Sequence, residues 1–150
     1  MTPSPDSRAA DFEALDPAFE KILLERMTMP AFSRHLGMVP EEIRRDYCRM
    51  AMPYRPELDQ PMGVVHGGAL ASLIDSVVVG AIFSAHKDIP RRLATIDLHV
   101  HYLAAVIQED VVAEAWIRRR GRQIVFLAAE VRTASGKVAA HGELSYYVQP

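Results

Sequence analysis

Between Gly67 and Ala85 the chain runs for nineteen residues with a single charged side chain, Asp75. Plotted at about 100° per residue, Leu70, Leu73, Ile74, Val77, Val78, Val79, Ala81, Ile82 and Phe83 leave no polar face. A helix of that kind must be enclosed. A bilayer is a poor enclosure, because a carboxylate near the middle of a span costs about 2.5 to 3.5 kcal/mol on insertion scales. Three serines and three glycines dilute the apolarity further. The segment therefore reads as a buried helix that needs a protein cover.

The rest of the chain supplies one. Eight of the ten prolines fall at or before Pro61, which leaves the later residues free for long regular elements. Runs at 93–106, 111–119, 123–133 and 138–148 read as strands. They are broken by Gln108-Glu109-Asp110, Arg120-Gly121-Arg122 and Ser135-Gly136. Connections that short predict hairpins, hence a four-stranded antiparallel meander. Upstream, Asp16-Pro17 is a helix start, with Phe19, Ile22, Leu23 and Met27 at helical spacing and Met29-Pro30 as its end. A further strand is expected over 45–52, then a proline-rich loop from Pro53 to Pro61. The expected architecture is α+β, a curved antiparallel sheet wrapped around one long central helix. Residues 1–10 are expected to form a flexible tail and 11–150 a single domain.

Seventeen Lys and Arg against nineteen Asp and Glu give a net charge of −2, which provides no basic field for nucleic acid. A lone cysteine, Cys48, allows no intrachain disulfide. Met1 to Ala10 has no apolar run of the secretory kind. The expectation is a cytoplasmic protein without a membrane span.

Asp75 is the oddest residue in the chain. Its helical neighbours Ala71, Ser72, Val78 and Val79 cannot neutralise a carboxylate. An enclosed acid without a counter-charge is either kept for function or held by a local hydrogen bond, with Ser72 the nearest donor. Immediately before the helix stands Gly63-Val64-Val65-His66-Gly67-Gly68. Paired glycines let the backbone approach a ligand, and the first helical N–H groups are unsatisfied donors at the positive end of the dipole. That suits a developing oxyanion. The loop matches neither the phosphate-binding GxxxxGK[ST] nor the dinucleotide GxGxxG pattern.

Gln60-Pro61-Met62-Gly63-Val64-Val65-His66-Gly67-Gly68, followed nine residues after the histidine by Asp75, resembles the hotdog-fold acyl-CoA thioesterases of the phenylacetate-degradation type. Ala94-Thr95-Ile96-Asp97-Leu98, the Gly121-Arg122 turn and Gly136-Lys137-Val138-Ala139 extend the resemblance across roughly residues 35–148. It implies a hotdog fold and hydrolysis of the thioester of a medium-chain or aromatic acyl-CoA. The Gly67 N–H would then polarise the thioester carbonyl, and Asp75 would act as general base or nucleophile. Gln60, where Asn is commoner, would position water or carbonyl, and Thr95 would assist the carboxylate. His66 would orient the substrate or shape the loop. Gly68 and Gly121 would contact the substrate. Arg118 to Arg120 with Arg122 form a small basic cluster beside the turn, which by itself reads first as solvated turn charges and otherwise, through Arg120 and Arg122, as a contact for coenzyme A phosphates. No cofactor is implied, since coenzyme A is part of the substrate.

Spacing adds a constraint of its own. Eight residues separate Gly67 from Asp75, about 12 Å of helix, too far for both to act on one carbonyl. A two-fold homodimer would set Asp75 of one chain beside Gly67 of the other. The resemblance likewise implies shared sites, in a dimer of dimers. His99 and His101 share a strand face, yet no spacing argues for a third ligand such as His141, and no metal is expected. Lys87 with Arg91-Arg92 forms a second small basic cluster beside a turn. Cys48 reads as a small buried apolar residue. Two rivals stand beside the hydrolase. One is a hydratase or dehydratase, which would pair a catalytic His with Glu or Asp. The other is a non-catalytic acyl-CoA-binding module, which would tolerate loss of Asp75 and Gln60.

Overall fold

The computed structural model describes residues 7–86 and 90–149. Its first long helix, α1 (Pro17–Met27), begins as expected. The Asp16 carboxylate accepts from the N–H groups of Ala18 and Phe19, and Pro17 occupies the first helical position, where its missing N–H costs nothing. Leu23 and Met27 are buried, whereas Ile22 points to solvent. Helix α1 stops at Met27, and a five-residue helix, α2 (Ala31–His35), follows Pro30.

Six strands form one antiparallel sheet: β1 (Val39–Arg44), β2 (Tyr47–Met52), β5 (Arg92–Tyr102), β6 (Val111–Arg120), β7 (Ile124–Thr133) and β8 (Val138–Gln149). Their order across the sheet is β1-β2-β6-β7-β8-β5. A two-stranded ribbon, β3 (Asp59–Gln60) and β4 (Val64–Val65), precedes the central helix, α3 (Gly67–Phe83). Helix α3 packs against every strand of the six. Six strands spaced at about 4.8 Å make a sheet far wider than one helix, so such contact requires the sheet to curl around it. The expected wrapped helix is therefore the observed fold. Among the described residues no helix is long and apolar enough to cross a membrane.

Three expectations need correction. The last four strands are not a simple meander. β6, β7 and β8 are successive hairpin partners, but β5 lies beyond β8 at the sheet edge. The connection from β5 to β6 is the whole stretch 103–110 rather than a three-residue turn, long enough to cross the ends of β8 and β7. Bonds from Val65 N to Val106 O and from Tyr54 N to the Asp110 carboxylate pin it. Nor is α3 enclosed on all sides. Ala71, Ser72, Asp75, Ser76 and Val79 remain half-exposed in the single chain.

The expected tail also begins to fold earlier. Residues 1–6 lie outside the described set, but Arg8–Asp11 forms a 3₁₀ turn with Ala9 buried. Arg8 stacks over Trp116 and Phe12 over Tyr47, so this segment covers the outer face of β2 and β6. On that face Arg49 is buried between Glu41 at 2.7 Å and Glu114 at 3.1 Å. Neither partner is reachable by local spacing.

Gly80 shows how tightly the sheet grips the helix. A Cβ built there meets Cys48 Cβ at 2.9 Å, with Sγ closer still. Gly80→Ala is expected to lose about 1 to 2 kcal/mol, because overpacking a core outweighs the helix-propensity gain of about 1 kcal/mol. Urea midpoints at unchanged m-value measure it. Adding Cys48→Ala should restore most of the loss, and a Gly80→Ala chain more stable than the parent would contradict the packing.

Candidate active site

The approach to α3 is fixed before its first turn. Met62 and Gly63 both adopt positive φ, which reverses the chain and sets Gln60 opposite Val64 across the β3–β4 ribbon. His66 N donates to Leu58 O at 2.7 Å. The His66 ring then caps the helix, with Nδ1 accepting from Gly68 N at 2.8 Å. In the neutral ring this leaves the proton on Nε2. His66→Ala is expected to remove about 1 kcal/mol of stability with the cap, and His66→Asn to keep most of it. Thermal melts of the two variants separate those outcomes; equal losses would deny the capping role.

Because His66 occupies the Gly68 N–H, the neighbouring Gly67 N–H is left over. Among the described residues nothing accepts from it, and it sits at the positive end of the helix dipole. The Gly67 carbonyl accepts from Tyr102 Oη at 3.0 Å, and that ring lies about 3.2 Å from where a Cβ would stand. A cavity of about 390 Å³ opens here, lined by Gln60, Val64, Val65, Gly67, Leu70, Tyr102, Leu103 and Val106. The expected pair Gln60 and Gly67 thus share one apolar cavity. Gly68 and His66 do not share it. They line a second groove of about 270 Å³ with Phe32, Leu36 and Ser72.

Asp75 lies elsewhere. Its Oδ1 accepts from Thr95 Oγ1 at 2.9 Å and from Tyr146 Oη at 2.5 Å. Ser72 is not its partner, since Ser72 Oγ donates to Gly68 O at 2.8 Å. Thr95 and Tyr146 are cross-strand neighbours on β5 and β8. One extra residue, Ile96, bulges between Thr95 and Asp97. The bulge keeps Thr95 on the helix side and turns Asp97 outward, where it binds Ser145 N and Oγ. Burial, reinforced by the hydrogen bond to Asp75, pushes the Tyr146 phenol well above its ordinary range, so it serves as a donor. Burial likewise pushes the Cys48 thiol far up, which leaves it no nucleophile.

Within one chain the structure does not join these groups. Gly67 and Asp75 are two turns apart on the same helix, and Asp75 does not line the Gln60–Gly67 cavity. Arg120 is farther still. It pairs with Asp46 at 2.6 Å and stands beside His86, past the C-terminal end of α3, about 25 Å of helix from Gly67. β6 starts beside Met52 and runs toward that far end, which places its turn there. Gly121 has a structural reason to be glycine, since a Cβ would meet Ile124 O at 2.7 Å. In the second basic cluster Lys87 lies outside the described residues. His101 and His141 are register partners, and among the described residues no three His, Cys, Asp or Glu side chains converge.

Sequence reasoning missed Tyr102 and Tyr146. Alternation in β8 puts Tyr146 on the face of Leu144 and Val148, and a buried tyrosine hydroxyl demands a partner. That signal was present for Tyr146. Tyr102 carried none.

Residues 62–140 match the family model described as the thioesterase superfamily. Acyl-coenzyme A thioesterase 13 of Mus musculus is 26% identical over 128 residues, spanning 84% of this chain and 81% of that protein. The medium/long-chain acyl-CoA thioesterase YigI of Escherichia coli K12 is 27% identical over 131 residues, spanning 78% of this chain and 84% of its own length. The E. coli PaaI protein of the phenylacetic acid degradation operon superposes with a TM-score of 0.76 at 17% identity, over 84% of this chain and 89% of that one. That last likeness is one of fold.

Proposed function

The chain belongs to the thioesterase superfamily, and on that premise we propose that it hydrolyses the thioester of a medium-chain or aromatic acyl-CoA. The observation that carries this reading is the unpaired Gly67 N–H at the start of α3, opening with Gln60 onto an apolar cavity. A carbonyl oxygen placed there gains charge in the transition state, where a preorganised N–H at a helix N-terminus stabilises it most. The apolar walls Val64, Val65, Leu70, Leu103 and Val106 receive the acyl group.

Asp75 supplies the second half of the reaction. As base it takes a proton from water while the water oxygen bonds to the carbonyl carbon. The tetrahedral intermediate then collapses, the C–S bond breaks, and coenzyme A leaves with the proton as free thiol. As nucleophile its carboxylate oxygen adds to the carbonyl carbon, the C–S bond breaks, and coenzyme A leaves as thiolate to take a proton from water, giving an anhydride of Asp75 and the acyl group that water later cleaves. In a single turnover in ¹⁸O-water, label in Asp75 identifies the anhydride route, with water cleaving at the protein's carbonyl. Label in the released acid alone fits direct attack of water or cleavage of the anhydride at its acyl carbonyl, and trapping of the acyl-enzyme with hydroxylamine separates these two. Neither route calls for a cofactor.

The separation of Gly67 from Asp75 supports a homodimer with two shared sites, itself able to pair into a dimer of dimers. Edge strand β5 presents an unpaired backbone rim, with Ile96 and Tyr102 more than half exposed, beside the half-open stripe of α3. A two-fold partner pairing along β5 would cover both at once. In that arrangement Arg120 and Arg122 of the second chain fall on the Gly67 side of the first, toward the nucleotide end of the substrate. A cytoplasmic location belongs to the same reading.

The test is release of free thiol from a panel of acyl-CoA esters of graded chain length, with aromatic members included and Asp75→Asn as control. Turnover of medium-chain or aromatic esters that Asp75→Asn abolishes supports the proposal. No thiol from any ester favours the non-catalytic binding module.

A further inference from the structure

Asp75 meets its surroundings unevenly. Both of its donors, Thr95 Oγ1 and Tyr146 Oη, fall on Oδ1. Among the described residues no donor reaches Oδ2. The Tyr146 hydroxyl has one proton to give. It lies 2.5 Å from Oδ1 and 3.1 Å from the Asp75 carbonyl, so the proton goes to the carboxylate. Tyr146 is itself buried, fixed in mid-strand between β7 and β5. Its hydroxyl is therefore an anchored donor, whereas the carboxylate hangs on the half-open side of α3.

We propose that Tyr146 is a positioning residue for the hydrolysis: with Thr95 it clamps Oδ1 of Asp75 and so selects Oδ2 as the oxygen that meets water or the thioester carbon. The proposal rests on the hydrolase reading. A carboxylate free to rotate about its Cβ–Cγ bond offers either oxygen in any direction. One held by two donors on a single oxygen presents the other along a fixed line, which is the arrangement that orientation effects reward.

Other groups near α3 do not compete for this role. On the helix side of the packed elements, the titratable and charged side chains include Tyr146 on β8, Tyr102 on β5, Cys48 on β2, Glu20 on α1 and Arg120 at the end of β6, the last paired with Asp46 past the C-terminal end of α3. Tyr102 is bonded to the Gly67 carbonyl, two turns away. Cys48 lies against Gly80. Glu20 accepts from Ile43 N. Arg49 and Glu114 pair with each other on the outer face.

Tyr146→Phe keeps the ring and deletes the hydroxyl. With wild-type enzyme active on its best acyl-CoA ester, kcat should fall about tenfold while KM stays within about twofold, since the substrate is not touched. Thr95→Val, which deletes the other donor to Oδ1 at nearly the same shape, should lower kcat at unchanged KM in the same way. This variant keeps the test available should the phenylalanine chain fold poorly. In an Asp75→Asn background Tyr146→Phe should change the residual rate by less than about twofold, as expected of residues acting as a unit. Wild-type kcat in Tyr146→Phe and in Thr95→Val would overturn the clamp while leaving the hydrolase reading intact. Wild-type enzyme inactive on every ester would overturn the hydrolase reading and the clamp with it.

Discussion

Asp75→Asn is expected to lower kcat by about 10² to 10³, with folding retained and KM little changed. The geometry says why the two effects separate. The amide can turn its oxygen toward Thr95 and Tyr146, so both hydroxyls keep an acceptor and no buried donor is orphaned. Its nitrogen then occupies the place of Oδ2, where it carries protons and can neither take one from water nor attack a carbonyl. Thermal melts and thiol release on the same preparation check the two halves together. An Asn variant retaining more than half of wild-type kcat would remove Asp75 from the mechanism.

Mixing two dead variants should bring activity back. The separation of Gly67 and Asp75, about 12 Å along one helix, is the basis. Gly67→Pro deletes the donor N–H. The backbone accepts it, since Gly67 is not among the glycines with positive φ and His66 has the extended ψ of 133° suited to a residue before proline. The Tyr102 ring must yield by a few tenths of an ångström, and it is exposed enough to do so. Gly67→Pro and Asp75→Asn should each be nearly inactive alone. Unfolded together in equal amounts and refolded, they pair at random, and half of the dimers are mixed. A mixed dimer with sites shared between chains holds one doubly damaged site and one intact site. About a quarter of wild-type activity should therefore return. If donor and acid came from one chain, every site would carry one lesion and nothing would return. Recovery near zero, with mixed dimers confirmed by mass, would rule out the shared site.

Much of this fold was legible from periodicity. The Asp16-Pro17 start of α1, the apolar run that became α3, and β6, β7 and β8 all follow from patterns contained within ten to twenty residues. They lie within two residues of the expected bounds. β1 was not legible. Its run Val-Pro-Glu-Glu-Ile-Arg places proline and two acids on an edge strand, where the sheet tolerates them and alternation is lost. β5 was recognised as a strand, but its neighbour was misjudged. Strand propensity is local, whereas the choice of β8 over β6 depends on how far residues 103–110 can reach and where Val65 and Tyr54 hold them.

The candidate site divides along the same line. That Gly67 and Asp75 cannot meet on one carbonyl within one chain was determined by sequence alone, because helical rise converts eight residues into a distance whatever surrounds the helix. The placing of His66 immediately before the two glycines is local in the same way. Which oxygen of Asp75 is held, and which is left free, only the tertiary structure decided. The donor Tyr146 is 71 residues away, and it reaches Asp75 through the register of β8 on β5 and the single-residue bulge at Ile96. The distance of Arg120 from Gly67 was decided likewise, by the direction β6 takes beside β2. Register and strand direction are settled by burial of whole faces against α3, a sum over contacts between distant segments that no local spacing contains.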